Sequence, residues 1–256
     1  MTFGARHITV DFGGVTALHD VSLDVPAGAV TAVVGGDGAG KSTLLRCLVG
    51  RIVAQHGEVE RPPKRQVGYM SSSSGTWRDL SVDENVAFVA GVYGAKPRPD
   101  LLERAGLASV GHRLAGQLSG GMRQKLGFVL AMQHNPELVV LDEPSTGVDP
   151  VSRVELWRMI AGAAAGGTAV VMSTTYLDEA ERASSLLVLD AGRAVLAGPP
   201  DEVVAHTPGR IVEVGKPGDP ARAWRRGRVF HEWLPDESPA GTPDLEDAII
   251  VEMLGG

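Results

Sequence analysis

Gly35-Gly36-Asp37-Gly38-Ala39-Gly40-Lys41-Ser42 follows a short apolar, β-branched run at 29–34 and opens a helical stretch at 42–49. The eight residues satisfy G-x-x-x-x-G-K-[ST], a spacing whose chemistry is anion binding. Glycines let backbone N–H groups turn inward around phosphate oxygens, and a helix start adds the positive end of its dipole. In such a loop, running on to Thr43, Lys41 reaches the β- and γ-phosphates of a nucleotide and the Ser42 hydroxyl ligates Mg²⁺. A dinucleotide fingerprint is excluded, because Gly36-x-Gly38 is followed by Lys41 where the third glycine belongs.

A second constellation is Leu138-Val139-Val140-Leu141-Asp142-Glu143-Pro144, four apolar residues ending on two carboxylates. A buried strand that ends beside a phosphate loop puts Asp142 on the Mg²⁺ shell and turns Glu143 toward an attacking water as its general base. Pro144 stops the strand. Taken alone, an Asp-Glu strand end is often only a solvated terminus; beside the loop it gains meaning.

The third element, Leu118-Ser119-Gly120-Gly121-Met122-Arg123-Gln124, resembles the signature sequence of ABC (ATP-binding-cassette) ATPases. A helix start with a serine and two glycines is again an anion site; the competing reading is a capped helix with a glycine hinge. The resemblance covers about residues 8–208 and implies a P-loop NTPase cassette that binds ATP with Mg²⁺ between two copies of such a domain. It implies that Ser119, Gly120 and Gly121 meet a γ-phosphate held by the other cassette. Phe12 occupies the place of the aromatic that stacks on adenine, with a core phenylalanine as the alternative. The stretch 145–149, ending at Asp149, resembles the loop by which two nucleotide sites sense each other. Gly68-Tyr69-Met70 and Leu80-Ser81-Val82-Asp83-Glu84-Asn85 resemble the segment facing a membrane subunit.

Two positions depart from the family pattern. Ser72 stands where a glutamine contacts Mg²⁺ and the attacking water, and Thr175 stands where a histidine grips the γ-phosphate. Serine is too short for the first task, and threonine cannot carry a charge for the second. Each missing contact to developing charge costs on the order of 10²–10³ in rate. The expectation is a chain that binds ATP better than it splits it, paired with a different cassette in a heterodimer.

These residues need elements to position them. Runs at 29–34, 138–141, 169–172 and 186–189 read as central strands, and 42–49, 153–165 and 177–182 as helices, the alternation of an α/β domain. Residues 8–25 alternate as antiparallel strands with one wet face. Residues 76–133 read as an inserted helical subdomain. The cassette thus spans 1–210; beyond it, Gly, Pro, Arg and Asp dominate 211–256, a small extension read as partly loop with an amphipathic stretch at 245–254.

The chain has 256 residues, 43% of them hydrophobic, enough for one substantial core. A formal charge of −7 argues against general nucleic-acid binding. Cys47 is alone, so no internal disulfide forms, and it reads as a small core residue. No apolar run reaches the roughly 20 residues of a bilayer span, and residues 1–10 lack signal-peptide character, so any membrane role is peripheral, at the cytoplasmic face. Asp37, Tyr176-Leu177-Asp178-Glu179-Ala180 and Thr242-Pro243-Asp244-Leu245-Glu246-Asp247-Ala248 are similar to the drug and polyketide-antibiotic exporter branch, which implies separate permease subunits. Two alternatives stay open: an ABC ATPase acting on ribosomes or nucleic acid, and a regulatory module using ATP as dimerisation glue. Against the first stand the single cassette and the absence of a basic tail.

Overall fold

In the computed structural model, which describes residues 1–238 and 243–255, the N-terminal alternation becomes a sheet with one covered face. β1 (Thr2–Phe12) and β2 (Val15–Pro26) pair antiparallel across a Gly13-Gly14 turn. Ile8 and Val10 of β1 and Leu18, Val21 and Val25 of β2 are fully buried, as period-two patterning requires. β3 (Val30–Val34) then enters the interior, and α1 (Lys41–Leu48) returns across it. β4 (His56–Glu60) pairs with the other edge of β1, giving the order β2-β1-β4.

β5 (Val67–Met70) leads into the expected helical insertion of α2 (Val82–Tyr93), α3 (Pro99–Arg104) and α4 (Gly120–Ala131). A capping box starts α2: the Ser81 hydroxyl accepts from the Glu84 N–H at 3.2 Å, and the Ser81 N–H donates to Glu84 Oε2 at 2.7 Å. The chain returns as β6 (Leu138–Leu141), α5 (Pro150–Ala165), β7 (Ala169–Thr174), α6 (Leu177–Ala180), β8 (Ser185–Asp190) and β9 (Arg193–Gly198). Helix α5 begins three residues before the expected start at 153, because Pro150 fits a first helical turn and Asp149 caps it.

Six strands form the central sheet in the order β5-β6-β7-β3-β8-β9, parallel except for β9. Both faces are covered, which is why β3, β6 and β7 read as unbroken apolar runs. Val33, Val140 and Val171 face α1 and the antiparallel sheet, while Ala32, Val139 and Val170 face α4 and α5. Cys47 lies buried in the first of these cores, as expected, and burial pushes its thiol up to about 11.

The C-terminal segment holds more order than its composition suggests. After α7 (Pro200–Ala205) come β10 (Arg210–Val214), β11 (Ala223–Arg226) and β12 (Val229–Leu234), an antiparallel sheet of order β10-β12-β11. Their short runs are separated by turn residues, so sequence patterning alone reads the extension as partly loop. Helix α8 (Leu245–Gly255) then packs Leu245 and Ala248 into the core beside Val203 of α7. Asp247, buried, binds it to the sheet: its Oδ1 takes the His231 Nδ1 at 2.9 Å and the Trp224 Nε1–H at 3.3 Å. Thr242, part of the exporter-like terminal segment, lies outside the described residues, as do 239–241 and Gly256.

Candidate functional site

Strands β6, β7 and β3 are neighbours, and their C-terminal ends carry Asp142-Glu143, Ser173-Thr174-Thr175 and the glycine loop. Ligands of open α/β sheets bind in the crevice outside those ends. Residues 36–43 with Ala17 and Glu143 surround a concavity of about 210 Å³ there. Its shape depends on Gly40, which caps α1 with φ of 104° and whose Cβ would stand 2.8 Å from the Ala17 carbonyl oxygen.

Lys41 is buried, with Nζ donating to the carbonyls of Gly35 at 2.8 Å and Gly36 at 3.0 Å. Glu143 Oε1 lies 3.5 Å from the same nitrogen. The ammonium therefore rests in the loop, balanced by two carbonyls and one carboxylate. Asp142, only 2% exposed, is fixed by two hydroxyls: Ser42 Oγ and Ser173 Oγ both donate to its Oδ1 at 2.9 Å. Ser173 also accepts from the Glu143 N–H at 2.9 Å, and Thr146 Oγ1 donates to Glu143 Oε2 at 3.2 Å. Glu143 is held in the left-handed region with φ of 49°, a conformation that costs a non-glycine residue about 1–2 kcal/mol. The sequence reading assigned no role to Ser173; its only signal was a polar residue at the end of a buried parallel strand.

Ser119, Gly120 and Gly121 do not join this concavity. Ser119 is the exposed N-cap of α4, accepting from the Met122 N–H at 3.2 Å, an interaction of about 1 kcal/mol. A Cβ on Gly121 would fall 2.5 Å from Ser152 Cβ, so this glycine lets the starts of α4 and α5 abut. Asp149 Oδ1 accepts the N–H groups of Val151 at 3.1 Å and Ser152 at 3.0 Å. Hydrogen bonds from the Ser152 hydroxyl and then its N–H hold the Asp149 carboxyl below the usual carboxylate range. One chain thus carries a glycine-loop concavity in one place and an open, serine-capped helix start in another.

A family model described as "ABC transporter" matches residues 18–146, which include the glycine loop, the Ser119 helix start and the Asp142-Glu143 pair. The chain belongs to the ABC transporter family. It is 38% identical to the probable multidrug ABC transporter ATP-binding protein YbhF of Escherichia coli K12 over 210 residues, 76% of this chain. That match spans 36% of YbhF, so the chain corresponds to about a third of that relative's length. The daunorubicin resistance ATP-binding protein DrrA3 of Streptomyces coeruleorubidus is 36% identical over 229 residues, covering 81% of this chain and 72% of DrrA3. A solved ATP-binding subunit of an ABC transporter superposes with a TM-score of 0.72 at 25% identity, covering 80% of this chain and 92% of that one.

Within this ABC cassette the remaining positions are placed as follows. Phe12 is 51% exposed at the end of β1, so it is not a core residue. Ser72 lies in an exposed serine turn after β5, and its carbonyl accepts from Gln124 Nε2 of α4 at 3.5 Å. Thr175 is exposed directly beyond β7. Beneath it Glu179, fully buried, accepts on Oε2 from Thr174 Oγ1 at 2.6 Å and Ser145 Oγ at 2.9 Å. This carboxylate, which the sequence reading did not single out, joins the loop after Glu143 to the loop that bears Thr175.

Proposed function

We propose that this chain is the ATP-binding subunit of an exporter of drugs or other small hydrophobic compounds, working with separate membrane subunits and a second, different cassette. ATP occupies the loop 35–43, with Lys41 on its phosphates and Phe12 against its base. The residues at the loop fit Mg²⁺: Ser42 Oγ and Asp142 Oδ1 are hard oxygen donors 2.9 Å apart, and magnesium takes few protein ligands beside phosphate and water. Held by Ser42 and Asp142, Mg²⁺ would supply positive charge against the transferring phosphate. Glu143 orients and deprotonates the attacking water. Ser119, Gly120 and Gly121 serve the nucleotide held by the other cassette, with Asp149 beside them at the shared boundary.

The observation that carries this reading is the separation of the glycine loop around Lys41 from the helix start at Ser119, which is exposed and lies outside the concavity that the loop lines. The unshared helix start is complementary to a partner's phosphate. Val151 and Val154 on the first turns of α5 are 70% and 40% exposed, apolar surface at that boundary. For the permease, Trp77 and Phe88 meet edge to face at 4.7 Å and stay 44% and 49% exposed. They border a groove of about 300 Å³ with Tyr69 and His134, an anchor of the aromatic type that favours interfaces. Among the described residues no helix is long and apolar enough to cross a membrane, in keeping with a peripheral subunit at the cytoplasmic face.

Ser72 and Thr175 make this chain's own site the slower one, so its ATP stays bound while the partner's turns over. The test is to purify the chain with its membrane and cassette partners and compare two variants. Ser119→Glu is expected to cripple the complex's ATPase, and Glu143→Gln in this chain to matter much less. Loss of turnover in Glu143→Gln with a normal Ser119→Glu complex contradicts the reading, as does a homodimer with brisk ATPase.

A further inference from the structure

A cleft of about 530 Å³ lies between α3, α4 and α5, more than twice the 210 Å³ of the phosphate-loop concavity and sharing no residue with it. Its size falls in the range of small-molecule sites, about 300–1,000 Å³. Part of the wall is apolar and adaptable, from Leu101 of α3, Phe128 of α4, Met159 of α5 and Met132 at the end of α4, and the rest is polar. Four cations, Arg98, Arg104, Lys125 and Arg158, stand at the cleft against three carboxylates, Glu103, Glu155 and the Arg98 partner Asp100, a net charge of +1 in a chain of net charge −7. Lys125 is matched by Glu155 at 2.8 Å and Arg98 by Asp100 at 3.0 Å. Arg104 and Arg158 have no ion-pair partner among the described residues and are both exposed.

We propose that this cleft binds one amphipathic organic anion from solution, its tail against Phe128 and Met159 and its carboxylate between Arg104 and Arg158. Charge complementarity sets the sign of the head group, and the apolar walls set the tail. A guanidinium fork matches a carboxylate with two parallel hydrogen bonds. The enclosure suits a single small molecule and not a flat bilayer. The ligand would touch α3, the C-terminal half of α4 and the C-terminal half of α5, and α4 and α5 also abut at Gly121 and Ser152.

The full chain is titrated by calorimetry with decanoate below its micellar concentration, and with acetate, decyltrimethylammonium and phosphatidylglycerol vesicles in parallel. Decanoate binds saturably at one site, and acetate and the cation bind at least about tenfold more weakly, 1.4 kcal/mol. Arg104→Glu with Arg158→Glu, both at exposed positions, lowers decanoate affinity about tenfold or more. Met159→Trp, which fills the cleft without changing charge, lowers it as well. The proposal is overturned if decanoate shows no saturable binding below about 1 mM, if the cation binds equally, or if both variants bind like the unaltered chain. Binding to the vesicles alone overturns it too, by assigning the arginines to a membrane surface.

Discussion

Replacing Ser173 with alanine removes one hydroxyl that serves two neighbours. Ser173 is fully buried, donates to Asp142 Oδ1 and accepts from the Glu143 N–H, both at 2.9 Å. In Ser173→Ala the Glu143 N–H loses its acceptor, which costs about 1–3 kcal/mol for a buried donor. Asp142 loses one of two hydrogen bonds to the same oxygen, an interaction with a charged group worth about 1.5–3 kcal/mol, partly retained because Ser42 still donates. The expected loss is about 2–4 kcal/mol, a large share of the 5–15 kcal/mol typical of a domain. Ser42→Ala is the control. Ser42 is half-buried and donates to Asp142, so its removal strands no donor and costs only the same partly retained Asp142 hydrogen bond, about 1–2 kcal/mol, less than Ser173→Ala by the share of the Glu143 N–H. Guanidinium unfolding of both variants, with equal denaturant slopes, measures the difference. A gap smaller than about 0.5 kcal/mol between Ser173→Ala and Ser42→Ala would refute the argument that Ser173 organises the carboxylate pair.

Lys41→Ala removes the one ammonium seated in the glycine loop and is expected to abolish ATP binding; equal affinities by calorimetry exclude the assignment. Ser72→Gln with Thr175→His, restoring a longer amide and a chargeable ring, should raise turnover of the chain markedly, and an unchanged rate means that another step limits it. Burial pushes the His134 imidazole below its usual range, against the opposing pull of the Val67 carbonyl, so the unfolded chain takes up a proton before the folded one does. Stability should therefore fall as pH drops below about 6.5, and His134→Phe, which keeps the stack on Tyr93 at 3.7 Å, should flatten that fall in thermal melts at pH 7.5 and 5.5. Identical slopes for the two proteins would remove His134 as the cause.

The glycine loop, the Asp142-Glu143 pair and the Ser119 helix start were legible because each is a local device: the residues that compose it are adjacent in the chain. Strand β6 was bounded correctly at 138–141 because Pro136 and Pro144 flank an unbroken apolar run. What escaped depends on residues far apart in sequence. Ser173 acquires its place only when β7 lies beside β6, and Glu179 only when α6 folds under the loop at Ser145. Sheet β10-β12-β11 escaped for the same reason, since its strands are short, lie between turn residues and gain order through Asp247 of α8. Phe12 shows the limit from the other side: its exposure is decided by the end of a hairpin, which composition does not reveal.

Glu179 links Ser145 to Thr174 through a single oxygen, and its other oxygen, Oε1, is buried without a partner among the described residues. Neither loop can swing away from the sheet without leaving that carboxylate still less satisfied, at a cost that rises steeply in a dry interior. Local opening should then be concerted: amide protons at 145–149 and 174–178 would exchange with solvent at one common free energy, as a single cooperative unit. A cassette wired in this way cannot move those two loops separately; the stretch that follows Glu143 and the stretch that bears Thr175 report one state between them.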